Sequence, residues 1–228
     1  MVRDKFRIRF RKCRDLRLVS HHDLLRCFER MLRRAALPFH STSGFNPKPR
    51  LVFALSLALG IEGHDEVVEL ELDEQMSERE VHERLAAQAP PGLEITSVRR
   101  IDPKATAQPR RARYRIELPP DDSDALPERI RALLAAEHCF IERTRPQPRR
   151  VDIRQYLLDV RVADGGLEMD LEVTPTGTAR PEEVLSALGL GDLPASGSVL
   201  RRTALELHDE TGVAAPARLG TGADSPCT

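Results

Sequence analysis

The sequence predicts an α+β protein made of two tandem ferredoxin-like halves, each with the element order βαββαβ. Three observations support this prediction. Strand and helix patterns follow that order over residues 5–99, and the order repeats over residues 113–207. The motif Pro-x-Pro-Arg lies between the first helix and second strand of both halves, at residues 47–50 and 146–149. A repeated order with a repeated motif indicates an internal duplication.

The first half begins with a half-buried strand and a capped helix. Over residues 5–11, apolar and basic side chains alternate with the period of a strand. Ser20 can cap the following helix, with Asp23 three residues on, and we expect the helix to reach Ala36 before Pro38 ends it. One apolar arc of this helix should face the core: Leu24, Leu25, Phe28, Met31, Leu32, Ala35 and Ala36.

The remainder of the first half predicts three strands and a second helix. A turn-rich loop at residues 41–50 leads into an apolar strand at residues 51–57, and an alternating strand follows at residues 66–72. Ser77 opens the second helix with a capping box, and residues 93–99 form the fourth strand.

The second half repeats this order after a polar linker that contains two prolines. The Asp164-Gly165-Gly166 sequence predicts a hairpin turn, and Pro181 is suited to the first position of the last helix, which closes at Gly189. The predicted strands and helices are 113–118, 124–137, 151–162, 167–173, 181–189 and 199–207. The predicted domains are a first half at 1–101, a linker at 102–112, a second half at 113–207 and a disordered tail at 208–228.

The distribution of charge and the low aromatic content limit the kinds of partner that the protein is expected to bind. The net charge is only −1, but residues 1–50 hold fourteen Lys and Arg against four acids, whereas residues 61–96 hold eleven acids and two Arg. This segregation indicates a basic face for a polyanion, although an Arg-rich genome composition is an alternative explanation. Two Tyr, seven Phe and no Trp are few for a protein that binds single strands by stacking bases.

The sequence lacks the motifs of metal-binding, secreted and membrane-spanning proteins. The four cysteines, Cys13, Cys27, Cys139 and Cys227, form no CxxC, so we expect free thiols, no metal and no cofactor. The charged N-terminus does not have the pattern of a signal peptide, and the apolar run at residues 51–61 is too short to cross a bilayer. We therefore expect a cytoplasmic protein with no membrane partner.

The first strand of each half carries candidate RNA-binding arginines. If the apolar residues of the strand face the helices, the basic ones lie on the uncovered face of the sheet, where they could follow a phosphate backbone. These residues are Arg7, Arg9, Arg11, Arg113 and Arg115. The alternative is that they pair across the sheet with acids such as Glu69 and Glu71.

The first helix is a stronger candidate for RNA binding than the strands. Its candidate RNA-binding residues, which follow helical spacing or adjoin it on the solvent side, are His22, Arg26, Arg30, Arg33 and Arg34. Cations on one face repel each other, which favours an anionic partner, although an ordinary solvated face is the alternative.

The loop at residues 44–50, Gly-Phe-Asn-Pro-Lys-Pro-Arg, combines a permissive glycine with two prolines. It could present Asn46, Lys48 and Arg50 to RNA on a stiff backbone. A structural turn that enters a buried strand is the alternative.

His21 and His22 are weak candidates for a catalytic acid or base. His21 lies at the edge of the apolar arc, where a packed histidine is the ordinary explanation, and His22 lies on the arginine side. The sequence contains no P-loop, no GxGxxG and no nucleophile elbow.

Residues 18–26, 29–35 and 44–50 together resemble the radical-SAM-linked family, a domain of unknown function. Residues 178–185, which contain Arg180-Pro181, look like the C-terminal motif of that family, and Arg180 is therefore a further candidate RNA contact. The resemblance implies a radical SAM protein as partner and an RNA context. The chain lacks the CxxxCxxC of a radical SAM cluster, so it is not itself the radical enzyme.

These observations favour an RNA-binding accessory module in tRNA or rRNA modification or processing, acting with a radical SAM partner. One alternative is a metal-independent endoribonuclease with a histidine acid or base, distantly like the tandem ferredoxin-like CRISPR-repeat RNA-processing proteins. The other alternative is a protein–protein adaptor for a radical SAM enzyme.

Overall fold

The computed structural model describes residues 4–42, 47–119, 125–144 and 147–210. The chain divides into two compact units: unit 1 comprises residues 1–108 and 207–228, and unit 2 comprises residues 109–206. The described residues form mainly antiparallel strands and four α-helices, which confirms the predicted α+β class.

The described residues of unit 1 form four strands and two α-helices in the predicted order. They are β1 (Asp4–Lys12), α1 (His21–Arg34), β2 (Leu51–Phe53), β3 (Glu62–Leu72), α2 (Glu78–Ala86) and β4 (Leu93–Ile101). The strands lie in the order β4-β1-β3-β2, and each neighbouring pair is antiparallel. Short 3-10 turns form at Arg14–Leu18 and His208–Glu210.

The core of unit 1 follows from the alternation in β1. Phe6, Ile8 and Phe10 are fully buried and pack in one cluster with Phe28 of α1 and Leu85 of α2. Each large apolar side chain removed from water contributes about 1.5–3 kcal/mol, so this face fixes the strand against both helices.

Helix α1 begins where the capping pattern predicts. The Ser20 hydroxyl oxygen accepts a hydrogen bond from the Asp23 backbone N–H at 3.2 Å. The helix ends at Arg34, and Ala36 has a left-handed φ of 49°, so the chain has already left the helix before Pro38.

Replacing Ser20 by alanine is expected to lower the free energy of unfolding by about 1 kcal/mol, because the capped N–H loses its partner. Thermal or urea unfolding measures this. Ser20→Thr keeps a hydroxyl oxygen at the cap and is the matched control. An equal loss in both variants would show that the hydroxyl does not act as a cap.

Two strand predictions in unit 1 need correction. The strand predicted at residues 51–57 pairs with β3 only as far as Phe53, whereas β3 begins four residues earlier than predicted, at Glu62. Both faces of β3 are buried near its centre, where the neighbouring residues Val68 and Glu69 are 0% and 1% exposed. A charged side chain at such a position needs a partner.

Unit 2 has the predicted elements and an additional hairpin. They are β5 (Pro109–Glu117), α3 (Leu126–Ala135), β6 (Phe140–Arg143), β7 (Arg149–Asp152), β8 (Leu157–Ala163), β9 (Gly166–Glu172), α4 (Pro181–Ala187) and β10 (Arg201–Leu207). The main strands lie in the order β10-β5-β9-β8, and β6 pairs antiparallel with β7 apart from them.

The single strand predicted at residues 151–162 is wrong, because the chain bends after β7. Asp152 accepts hydrogen bonds from the backbone N–H groups of Cys139 and Arg154, at 2.9 and 3.0 Å. These bonds hold a 3-10 turn at Arg154–Tyr156, and β8 begins only after it. The predicted hairpin turn is confirmed: Asp164 and Gly165 have φ values of 46° and 71°, as a type I′ turn requires.

The linker and the tail also differ from prediction. Residues 109–112 of the predicted linker are strand, since Arg111 and Ala112 pair with Glu172 and Leu171 of β9. The predicted disorder is wrong for His208–Glu210, which form a 3-10 turn in unit 1. Residues 211–228 lie outside the described residues.

Among the helices that the structure describes, none is long and apolar enough to cross a membrane.

Candidate nucleic-acid interface

The outer side of α1 forms what we call the α1 basic surface, made of His22, Arg26, Arg30, Arg33 and Arg34. All five side chains are exposed, as the helical periodicity predicted. The opposite side of the same helix is buried through Leu24, Phe28, Met31 and Leu32. The two faces are therefore separated as expected for an amphipathic helix.

The α1 basic surface has little neutralising charge. Arg26, whose side chain is 70% exposed, lies 3.3 Å from Asp23. In the parts of the chain that the structure describes, no carboxylate lies within ion-pair distance of Arg30, Arg33 or Arg34. Such a surface attracts anions, because neighbouring cations on a helix repel one another until a counter-charge arrives.

Asp23 takes part in the N-terminal cap of α1. The Ser20 hydroxyl lies 2.7 Å from its carboxylate, and this hydrogen bond lowers the pKa of Asp23, with Arg26 adding to the effect. Asp23 thus remains ionised at neutral pH and partly compensates the charge of Arg26.

Arg33 connects the C-terminal end of α1 to the predicted proline loop. Its guanidinium donates to the Pro47 carbonyl at 3.5 Å and lies over the Phe39 ring, 5.4 Å from the centroid. Lys48, which follows Pro47 directly, is exposed.

Backbone bonds close the base of this loop. The Thr42 N–H donates to the Lys48 carbonyl at 2.9 Å, and the Arg50 N–H donates to the His40 carbonyl at 2.9 Å. Arg50 is exposed and lies 3.4 Å from Glu71. The two cations are exposed as expected, whereas the strand that the loop enters, β2, is not buried, since Val52 is 41% exposed. Asn46 lies outside the described residues.

The expectation that the β1 arginines are exposed is wrong for Arg7, which is 2% exposed. Its guanidinium contacts Glu69 at 2.9 Å, as the cross-sheet alternative predicted, and also Asp209 and Glu210. Burial alone would lower its pKa, but the hydrogen bonds that the guanidinium donates to the three carboxylates raise it.

The other strand candidates are partly exposed, and each lies within ion-pair distance of at least one acid. Arg9 contacts Asp65 and Glu210, and Arg11 contacts Glu94. In unit 2, Arg113 contacts Asp170 and Arg115 contacts Glu168. These strand arginines face carboxylates that sequence distance concealed, so they are less available to phosphates than the α1 basic surface. Arg180 is not on a strand: it is the exposed residue before α4 and lies 3.8 Å from Glu183, three positions on.

The two histidines differ as the helical wheel predicted. The His21 ring packs edge-on against Phe53 with centroids 5.1 Å apart, whereas His22 is exposed. Burial lowers the pKa of His21, and the nearby charges of His22 and Lys12 lower it further, so His21 is neutral at pH 7. Within the described ranges neither ring forms an ion pair with a carboxylate.

The prediction of free thiols is confirmed for two cysteines and is wrong for a third. Cys27 and Cys139 are free thiols, and burial raises the pKa of both. Cys13 is disulfide-bonded, so the prediction of free thiols is wrong there. Cys13, Glu62 and His64 bring ligand atoms within 4.8 Å of one another, a donor set that zinc accepts, but the disulfide leaves no thiolate to coordinate.

Sequence reasoning missed Asp209 and Glu210, because the tail composition indicated disorder. Two adjacent acids directly after a predicted strand were the available signal. Only the structure shows that they contact arginines some 200 positions earlier in the chain.

The family model described as "Uncharacterized protein conserved in bacteria (DUF2344)" matches residues 5–181. The chain belongs to this family. The match covers the whole α1 basic surface of this DUF2344 protein and ends before the acidic turn at His208–Glu210.

A comparison with curated proteins gave no match for this DUF2344 protein. Among solved structures, it is similar to an unknown protein from Galdieria sulphuraria at 17% identity, with 90% of this chain and 99% of that chain covered. The TM-score is 0.29, a value at which the likeness carries no structural argument.

Proposed function

We propose that this DUF2344 protein binds structured RNA through the α1 basic surface and the exposed Lys48 and Arg50. It would act as an accessory module in tRNA or rRNA modification or processing, in the cytoplasm, beside a radical SAM partner. The observation that carries the RNA proposal is the row of exposed arginines on α1, three of which have no carboxylate within ion-pair distance in the described chain.

The dimensions of the surface suit a nucleic-acid backbone. His22 and Arg33 are eleven residues apart, or about 16 Å along the helix at 1.5 Å per residue. Several consecutive phosphates fit within that length. Arginine guanidinium groups match phosphate oxygens in pairs, and Lys48 adds a point charge at one end.

Structured RNA is favoured over an unpaired strand because, among the described residues, no phenylalanine or tyrosine ring is exposed on this surface. Phe28 of α1 is buried, and Phe39 is already covered by Arg33. Binding to unpaired bases relies on free aromatic faces, whereas binding to a helix relies on phosphate contacts.

We further propose that each unit is a ferredoxin-like half. Supporting this, the main strands have the equivalent orders β4-β1-β3-β2 and β10-β5-β9-β8, in which β1 and β3 are central in unit 1 and β5 and β9 in unit 2. A helix follows each of these central strands along the chain. Such a pair of halves is also the basis for a distant likeness to CRISPR-repeat RNA-processing proteins.

The experiment is a titration of a fluorescent RNA hairpin at 50–200 mM salt. If Arg26, Arg30, Arg33, Arg34 and Lys48 each meet one phosphate, log K should fall with log salt at a slope of about −4 to −5. Affinity should then drop by roughly several hundredfold over that range. An affinity that does not change with salt contradicts the proposal.

The same assay separates the competing functions. Shortened RNA products in the binding reactions would favour an endoribonuclease, with His21 or His22 as the acid or base. An absence of RNA binding at 50 mM salt would favour the adaptor function. The radical SAM partner, which rests on the sequence resemblance, is tested by co-purification from cells that encode both proteins.

A further inference from the structure

The C-terminal acidic turn of unit 1 lies on a cluster of arginines. We call His208–Glu210 the acidic strap, and Arg7, Arg9 and Arg99 the β1–β4 arginine cluster. Asp209 accepts two hydrogen bonds from Arg7, both at 2.8 Å. Glu210 contacts all three arginines, at 3.1 Å from Arg7 and 3.0 Å from Arg99, with a short contact to Arg9. Paired contacts of this kind are those that guanidinium groups also make to phosphate.

We propose that the β1–β4 arginine cluster is a second RNA phosphate-binding surface, and that the acidic strap occupies it until RNA displaces the strap. This inference rests on the proposed RNA function and adds a regulation to it. The strap would act as an internal competitor that mimics two phosphates.

The strand register favours an anion at this place. Arg7 of β1 lies directly opposite Arg99 of β4, and like charges in direct cross-strand pairs are destabilising. Glu210 bridges this pair. Some anion is therefore needed between the two guanidinium groups, and a phosphate meets the same requirement.

The charge balance depends on the strap. Lys5, Arg7, Arg9 and Arg99 are four cations, and Glu69 and Asp65 within the sheet are two acids that contact them. Asp209 and Glu210 supply two more, which makes four against four. Removal of the strap leaves two positive charges in excess, which attracts a polyanion.

The strap is partly exposed. None of its three residues is buried, and the Asp209 side chain is 43% exposed. A backbone bond from the His208 N–H to the Gln108 carbonyl holds its start at 2.9 Å, next to the buried Leu207. Ion pairs that include a partly exposed carboxylate, as at Asp209, are weakened by salt and by competing anions.

Unit 2 provides an internal contrast. Arg111 and Arg113 of β5 contact Asp170, which is buried in β9, and Arg113 lies 3.8 Å from Glu206 of β10. There the acids belong to the strands themselves and cannot leave without unfolding the sheet. A removable acid is thus a property of the unit 1 cluster.

The test compares the double variant D209N/E210Q with the control D192N/E137Q, which removes two exposed charges elsewhere. Both are made in the wild-type chain and in R26A/R30A/R33A. The probe is the fluorescent RNA hairpin, and thermal melting confirms folding. Freeing two charges should steepen the slope of log K against log salt by about two, in both backgrounds. The control should leave the slope unchanged.

The possible outcomes separate the two proposals. A steeper slope for D209N/E210Q supports the strap even if R26A/R30A/R33A binds RNA as the wild type does, a result that would overturn the α1 proposal alone. Equal slopes for D209N/E210Q and its control overturn the strap. If the double variant does not fold, hydrogen exchange of residues 208–210 in the wild type decides: loss of protection on RNA addition supports displacement, and unchanged protection overturns it.

Discussion

Replacing Arg26, Arg30 and Arg33 by alanine together is expected to lower RNA affinity roughly a hundredfold, at about 1 kcal/mol for each lost contact. The slope of log K against log salt should become shallower by about three, because each lost phosphate contact removes about one. The three side chains are exposed and opposite the core, so each substitution should change the free energy of unfolding by no more than about 0.5 kcal/mol.

The matched control is R79A/R84A/R131A, which removes three arginines from α2 and α3. These residues form ion pairs within their own helices, with Glu83, Glu80 and Glu128. If both triple variants lose affinity equally, the effect comes from net charge and not from the α1 basic surface. Unchanged binding by R26A/R30A/R33A would make that surface an ordinary solvated face and would place the RNA contacts elsewhere on the protein.

Replacing Phe28 by alanine is expected to lower the free energy of unfolding by about 3–5 kcal/mol. The ring is fully buried, and it meets Phe10 edge-on at 5.1 Å and Phe53 at 5.5 Å between centroids. Truncation removes these contacts and leaves a cavity that the sheet and helix can fill only in part. Urea unfolding, followed by circular dichroism, measures the loss.

Phe140→Ala is the control for this prediction, since Phe140 is among the exposed large apolar residues. Its removal should cost much less than that of Phe28. A tolerated Phe28→Ala together with unfolding of R26A/R30A/R33A would mean that the two faces of α1 are assigned in reverse.

The sequence by itself determined the local features of this protein. Ser20 and Ser77 cap α1 and α2 as predicted, and the apolar and basic faces of α1 lie where helical periodicity placed them. Capping and periodicity involve residues only three or four positions apart, so a short segment contains all the information required. For this reason the α1 basic surface could be predicted without a structure.

Only the tertiary structure decided which strand arginines are free. Alternation placed Arg7 opposite the apolar side of β1, but it could not indicate that Glu69, Asp209 and Glu210 surround its guanidinium. Those carboxylates are 62, 202 and 203 positions away along the chain. Whether a charged side chain meets solvent or a carboxylate depends on which segments pack together, and the period of a single strand does not encode its distant partners.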